Sequence, residues 1–113
     1  MPITCTIADR IAEIVFDVPP VNAFDSETWM SLPGIISDAG RNPEVNCILI
    51  RAEGRGFCGG VDIKEMQAHP ERITLLNRGN YLTFKAIRDA EVPVVSAVHK
   101  FVIGGGIGIC GAS

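Results

Sequence analysis

An α/β fold with at least part of its sheet parallel is predicted by three features of this 113-residue chain. β-Branched apolar runs alternate with helix-periodic segments in the order β-β-α-β-α-β-α, the last helix only begun. Two of those runs, Val45 to Arg51 and Val92 to Val98, are nearly continuous in apolar residues, as strands buried on both faces are. Two glycine-rich turns, Gly54-Arg55-Gly56-Phe57-Cys58-Gly59-Gly60 and Gly104-Gly105-Gly106-Ile107-Gly108, each follow an apolar strand and precede a helix start.

Taken in order, Ile3 to Ile7 and Ile11 to Asp17 read as strands of a hairpin turning at Asp9-Arg10. Pro19-Pro20 ends the second, because neither ring nitrogen donates and the residue before a proline avoids helical dihedrals. Asp25 is a good N-cap for a helix whose stripe is Trp29, Met30, Leu32 and Ile36. Pro33-Gly34 opposes that helix by about 3 and 1 kcal/mol respectively, so a kink or a restart is expected there. Asn42-Pro43 turns the chain into Val45 to Arg51, and Asp62 to Met66 reads as a short helix after the first glycine turn. A longer helix is expected from Glu71 to Ala90 with Ile73, Leu76, Phe84 and Ile87 on one stripe. Val92 to Val98 is the last strand, and Phe101 to Gly106 leads into a helix N-terminus.

Thirteen Asp and Glu against ten Lys and Arg give a net charge of -3 without a like-charge block, so the basic field that nucleic acid or an anionic membrane requires is missing. Apolar runs are interrupted before the roughly 20 residues of a membrane span, and the N-terminus lacks a basic-then-apolar leader, which points to a cytoplasmic address. Cys5, Cys47, Cys58 and Cys110 form no C-x-x-C pair and have no histidine at zinc-ligand spacing, so neither a disulfide framework nor a metal site is expected.

Glycines without Cβ let backbone N–H groups approach a ligand closely, and a helix start adds unpaired donors and partial positive charge. Such turns suit a phosphate or the oxyanion that develops when a thioester carbonyl becomes an enolate; they also occur as plain tight turns. Gly106-Ile107-Gly108-Ile109-Cys110-Gly111 matches the dinucleotide-binding pattern G-x-G-x-x-G, but the acidic residue expected about 20 positions later has no place before Ser113.

GRGFCGGVDIKEMQ (Gly54 to Gln67), VPVVSAVHKFVIGGGIG (Val92 to Gly108) and PPVNAF (Pro19 to Phe24) resemble the N-terminal half of the enoyl-CoA hydratase/isomerase, or crotonase, superfamily. The resemblance spans essentially the whole chain, while members are roughly twice as long. It therefore implies one crotonase-like β-β-α spiral domain over residues 1–113 that is incomplete. It further implies that the backbone N–H groups of Val61 and Gly105 form an oxyanion hole for an acyl-CoA thioester carbonyl. Val61, Asp62, Ile63 and Lys64 would line the coenzyme A site, with Lys64 facing a CoA phosphate or standing as a solvated helix-face lysine. No cofactor is implied beyond coenzyme A as part of the substrate, and a full-length parent would be a homo-oligomer, a trimer or hexamer.

Departures from the family pattern bear on mechanism. Its hydratases use two glutamates, the first two positions after the triple glycine; this chain has Gly108 there, and the second would fall beyond Ser113. His99-Lys100 replaces the usual Asn-Gly, so a turn that glycine makes easily falls to lysine, and His99 is either a turn residue or a displaced acid/base group. Asp62 and Glu65, three apart after a glycine turn, read as paired carboxylates or as helix-start charge. GVDIKEMQ with GGGIG and no glutamate also resembles an actinobacterial branch that hydrolytically opens a ring ketone in steroid-derived CoA thioesters. Ordinary hydratase or isomerase chemistry, a catalytically inactive remnant or subunit half, and a dinucleotide-binding domain are the alternatives.

Overall fold

The computed structural model describes residues 2–113. Strands β1 (Ile3–Ala8) and β2 (Ile11–Phe16) form the expected hairpin, in the register Ile3 to Phe16 and Ala8 to Ile11. Asp9 and Arg10 between them both take positive φ, 52° and 65°, the two-residue turn whose twist matches the strands it joins. Strand β3 (Ala23–Phe24) leads into helix α1 (Ser26–Arg41), and β4 (Cys47–Ala52) follows. Strand β5 (Gly60–Val61), helix α2 (Ile63–Ala68), one 3-10 turn (Pro70–Arg72), helix α3 (Ile73–Asp89), strand β6 (Val94–Ser96) and helix α4 (Gly105–Ala112) complete the order. The main sheet runs β1-β2-β4-β6, antiparallel in its first pair and parallel in the other two; β3 and β5 form a second, parallel pair. The α/β prediction therefore holds.

One face of the main sheet, with Ala12, Ile14, Phe16, Ile48 and Ile50 at zero exposure, makes the core with Trp29, Leu32 and Ile36 of α1 and Leu76 and Ile87 of α3. Helix α1 runs through Pro33 as one element, so the restart expected there does not occur. Proline costs a helix interior about 3 kcal/mol. The stripe Trp29, Leu32, Ile36 and Ala39 buries four apolar side chains, at about 1.5–3 kcal/mol for each large one, and Asp25 caps the first turn by accepting from Thr28 N–H at 2.8 Å. Tertiary burial outweighs the local penalty.

Three other expectations are corrected. β4 buries Ile48, Ile50 and Ala52, but Cys47, Leu49 and Arg51 on its other face are only half-buried, because the helices packed here lie on one side. β6 is three residues long, not the seven of Val92 to Val98, since among the described residues it pairs with β4 alone. In α3 the buried stripe is Leu76, Gly79, Thr83 and Ile87, while Ile73 is 43% exposed. Gly79 draws α3 onto α1: a Cβ there would stand 2.9 Å from Trp29 Cβ and 3.0 Å from its carbonyl carbon.

Lys100 takes φ 60°, the left-handed turn that the sequence assigns to it. A Cβ in that region costs about 1–2 kcal/mol, and glycine loses part of this again through its looser unfolded state. Lys100→Gly is expected to stabilise the chain by about 0.5–1 kcal/mol in urea unfolding. A lower midpoint would count against the strain.

Candidate active site

Loop 1 (54–60) is built from below. Phe57 has zero exposure, with its ring 5.5 Å from Phe16, and its N–H donates to Phe101 O at 3.0 Å and His99 O at 3.1 Å. Asn22, only 2% exposed and at φ 53°, ties the loop down with its amide: Nδ2 donates to Glu53 O and Gly56 O, both at 2.8 Å, and Oδ1 accepts from Val18 N–H at 2.7 Å. Sequence reasoning gave Asn22 no role. The available signal was a buried-type amide in PPVNAF, beside glycine turns whose carbonyls need donors.

Loop 2 (101–105) lies alongside. Cys58 and Val102 form a parallel bridge, Ile103 N–H donates to Cys58 O at 3.0 Å, and a Cβ on Gly60 would stand 3.0 Å from Ile103 O and 3.8 Å from Gly104 Cα. Gly60 at φ 86° and Gly104 at φ 55° are both in the region glycine tolerates best. The two glycine turns, separate in sequence, thus meet.

Beside that meeting point stand the two predicted amides. Val61 sits on β5 opposite Phe24; at the two ends of this ladder Gly59 N–H donates to Asn22 O at 2.8 Å and Asp62 N–H to Phe24 O at 2.9 Å. Strand alternation turns the intervening Val61 N–H to the opposite side. Gly105 opens α4, where Gly106 N–H and Ile107 N–H already bond Ile103 O and Gly104 O; among the described residues Gly105 N–H has no acceptor, as expected for a first-turn amide.

The other predicted residues fare differently. Asp62 is the N-cap of α2, its Oδ1 accepting from Lys64 N–H at 3.0 Å and Glu65 N–H at 3.4 Å, so its carboxylate is engaged locally. Ile63 (66% exposed) and Lys64 project to the surface just beyond Val61. Glu65 does not pair with Asp62: its carboxylate reaches α1, accepting from Ser26 N–H (2.8 Å) and Ser26 Oγ (2.9 Å), and meets Arg72 Nη1 at 3.2 Å. Helix α2 has no buried residue, so this clamp is its principal polar tether. Glu65→Ala would strand these donors at a site whose carboxylate is 11% exposed, and is expected to cost about 1.5–3 kcal/mol in denaturant unfolding. A cost below about 0.5 kcal/mol would refute the tether.

His99 bonds the first glycine turn. Its Nε2 lies 3.0 Å from Gly54 O, which can only accept, so Nε2 carries hydrogen. Cys58 is buried, and burial pushes its thiol up to about 11, away from nucleophilic use. At Gly108 there is no space for a side chain: the Phe84 ring occupies the position a Cβ would take. The stretch Gly106 to Gly111 lies inside α4 rather than in a strand-to-helix turn, so its interior amides are spent on helix bonds and the dinucleotide pattern is overturned. A concavity of about 400 Å³ lies between α1 and α3 around Gly40, Arg41, Lys85 and Ala90, away from both glycine loops. No helix of the described residues is long and apolar enough to cross a membrane, and no group of three or more His, Cys, Asp or Glu among them could hold a metal.

Comparison with known proteins places this geometry. The chain is 50% identical over 114 residues to a (7aS)-7a-methyl-1,5-dioxo-2,3,5,6,7,7a-hexahydro-1H-indene-carboxyl-CoA hydrolase of Rhodococcus jostii (strain RHA1), covering 98% of this chain and 44% of the relative. A protein of the same description from Mycobacterium tuberculosis (strain ATCC 25618 / H37Rv) is 46% identical over 100% of this chain and 47% of its own length. A solved structure of a protein from Hyphomonas neptunium, assigned to the enoyl-CoA hydratase/isomerase family, superposes with a TM-score of 0.88 at 31% identity, over 100% of this chain and 45% of that one. The chain thus spans a little under half the length of the relatives it matches. With the enoyl-CoA hydratase/isomerase family model matching residues 6–112, the chain belongs to that family.

Proposed function

We propose that this chain is the oxyanion-bearing half of an acyl-CoA thioester enzyme, and that its whole protein opens a ring ketone of a steroid-derived CoA thioester by hydrolysis. The observation that supports it best is the meeting of the two glycine loops at Gly60 and Gly104, with Val61 and Gly105 beside it. In ring opening, water adds to the ketone carbon, the bond from that carbon to the thioester α-carbon breaks, and its electron pair becomes a thioester enolate. One proton of the water returns to the α-carbon and the other is released, while the new carboxylate stays joined to the thioester through the rest of the opened ring. The N–H groups of Val61 and Gly105 hold the enolate oxygen, and two such donors contribute several kcal/mol because they are oriented before charge develops. Ile63 and Lys64 stand beside them for the coenzyme, Lys64 meeting a phosphate, while Asp62 serves by ending β5 and starting α2. The substrate is the acyl-CoA partner, coenzyme A enters only as part of it, and the whole protein is a cytoplasmic trimer or hexamer.

A second reading, a non-catalytic acyl-CoA-binding half, is favoured by Phe84 filling the place of a side chain at 108. Calorimetric titration with acetoacetyl-CoA and with NAD tests the shared claim. The thioester is expected to bind and NAD not; preference for NAD would overturn both readings.

A further inference from the structure

The peptide unit between Gly60 and Val61 is planar, with its carbonyl and its N–H pointing in opposite directions, so whatever fixes the one aims the other. The β3–β5 ladder turns that carbonyl toward Phe24, and Trp29 adds a side-chain donor to it: its indole Nε1–H donates to Gly60 O at 3.3 Å in buried surroundings. The far edge of the same ring lies under the second loop, where a Cβ on Gly105 would stand 2.8 Å from both Cζ2 and Cη2. The ring itself has no freedom. Trp29 is at zero exposure, its centroid is 5.1 Å from that of Phe24, and its Cβ is covered by α3 at Gly79. A single rigid side chain therefore touches both loops, at the carbonyl of one proposed donor peptide and beneath the α-carbon of the other.

We infer that Trp29 is the positioning residue that sets the spacing and direction of the Val61 and Gly105 amides, and that its indole N–H polarises the 60–61 peptide so that Val61 donates more strongly; this rests on the oxyanion reading above. Hydrogen bonds in series strengthen one another, so a donor placed on the carbonyl improves the N–H of the same unit. Volume alone would not require this. A core filler at position 29 needs a ring, whereas the proposed role needs the N–H.

The test uses the 113-residue chain with acetyl-CoA and its thioether analogue S-ethyl-CoA, which lacks the carbonyl. The wild-type chain is expected to bind the thioester more tightly in calorimetry. Trp29→Phe, which keeps an aromatic ring and removes the donor, is expected to shrink that preference about fivefold while thioether affinity stays within about twofold. A loss shared equally by both ligands would make Trp29 a packing residue and overturn the inference, as would an unchanged preference. Binding of neither ligand by the wild-type chain, or of both alike, would remove the oxyanion reading and Trp29's role with it. Should Trp29→Phe fail to fold, the indole N–H resonance of the wild-type chain decides: it is expected to move with acetyl-CoA and not with S-ethyl-CoA, and a resonance unmoved by acetyl-CoA overturns the proposal.

Discussion

Gly108→Glu is expected to destabilise the chain by about 1–3 kcal/mol and to leave hydration of crotonyl-CoA slower than that of a two-glutamate hydratase by a factor on the order of 10² to 10⁴. The sequence supplies one reason, since the substitution adds a single carboxylate to a position that has none, where the family resemblance implies that hydration uses a pair. The fold supplies another. Phe84 of α3 lies against Gly108 so closely that its ring occupies the site of a Cβ, and glutamate can enter only if α4 lifts or the ring turns away. Both movements disturb the packing that carries Gly105, three residues earlier on the same short helix. Phe84→Ala combined with Gly108→Glu should recover part of the stability, because the double variant removes the atoms in conflict; additive losses would show that Phe84 is not the obstacle. Hydration, followed by loss of enoyl absorbance, within tenfold of an intact family hydratase would mean that another group of this chain handles the proton.

The order of strands and helices was legible because it is written in local patterns: alternation in Ile11 to Phe16, the Asp25 cap, the glycines at both strand-to-helix turns. What the sequence misjudged has a common cause, the three-dimensional neighbour. Pro33 stays helical because α1 is held by Trp29, Leu32 and Ile36, and a propensity scale cannot see that burial. The stripe of α3 was placed on its apolar letters, yet the contact face runs through Gly79 and Thr83, residues chosen for closeness and for a hydroxyl that donates to Gly79 O at 2.7 Å. The amides of Val61 and Gly105 were reached through family resemblance. Their support was not, because Asn22, Trp29 and Glu65 act across separations of 31 to 39 residues. Asp62 and Glu65 show the same limit: adjacent on paper, they serve different helices, one capping α2 and the other tying it to α1.

Glycine at 105 and glycine at 111 should respond to alanine with opposite signs. A Cβ at 111 meets nothing within 4 Å, and alanine is about 1 kcal/mol better than glycine inside a helix, so Gly111→Ala is expected to stabilise the chain by about 0.5–1 kcal/mol and to leave thioester binding unchanged. At 105 the same propensity gain is opposed by crowding. The new methyl would meet Asn80 Oδ1 and the Trp29 ring edge. The Asn80 amide can rotate, at the expense of its bond from Nδ2 to Leu76 O at 2.8 Å, but the buried indole cannot move without releasing Gly60 O. The start of α4 must therefore shift outward, carrying the Gly105 N–H with it. Gly105→Ala is expected to lower stability by about 1–3 kcal/mol in urea unfolding and to weaken acetyl-CoA binding at least tenfold, more than it weakens binding of the thioether. Equal and positive stability changes at both positions would show that α4 adapts freely, and the fixed amide pair on which the oxyanion reading stands would then be lost.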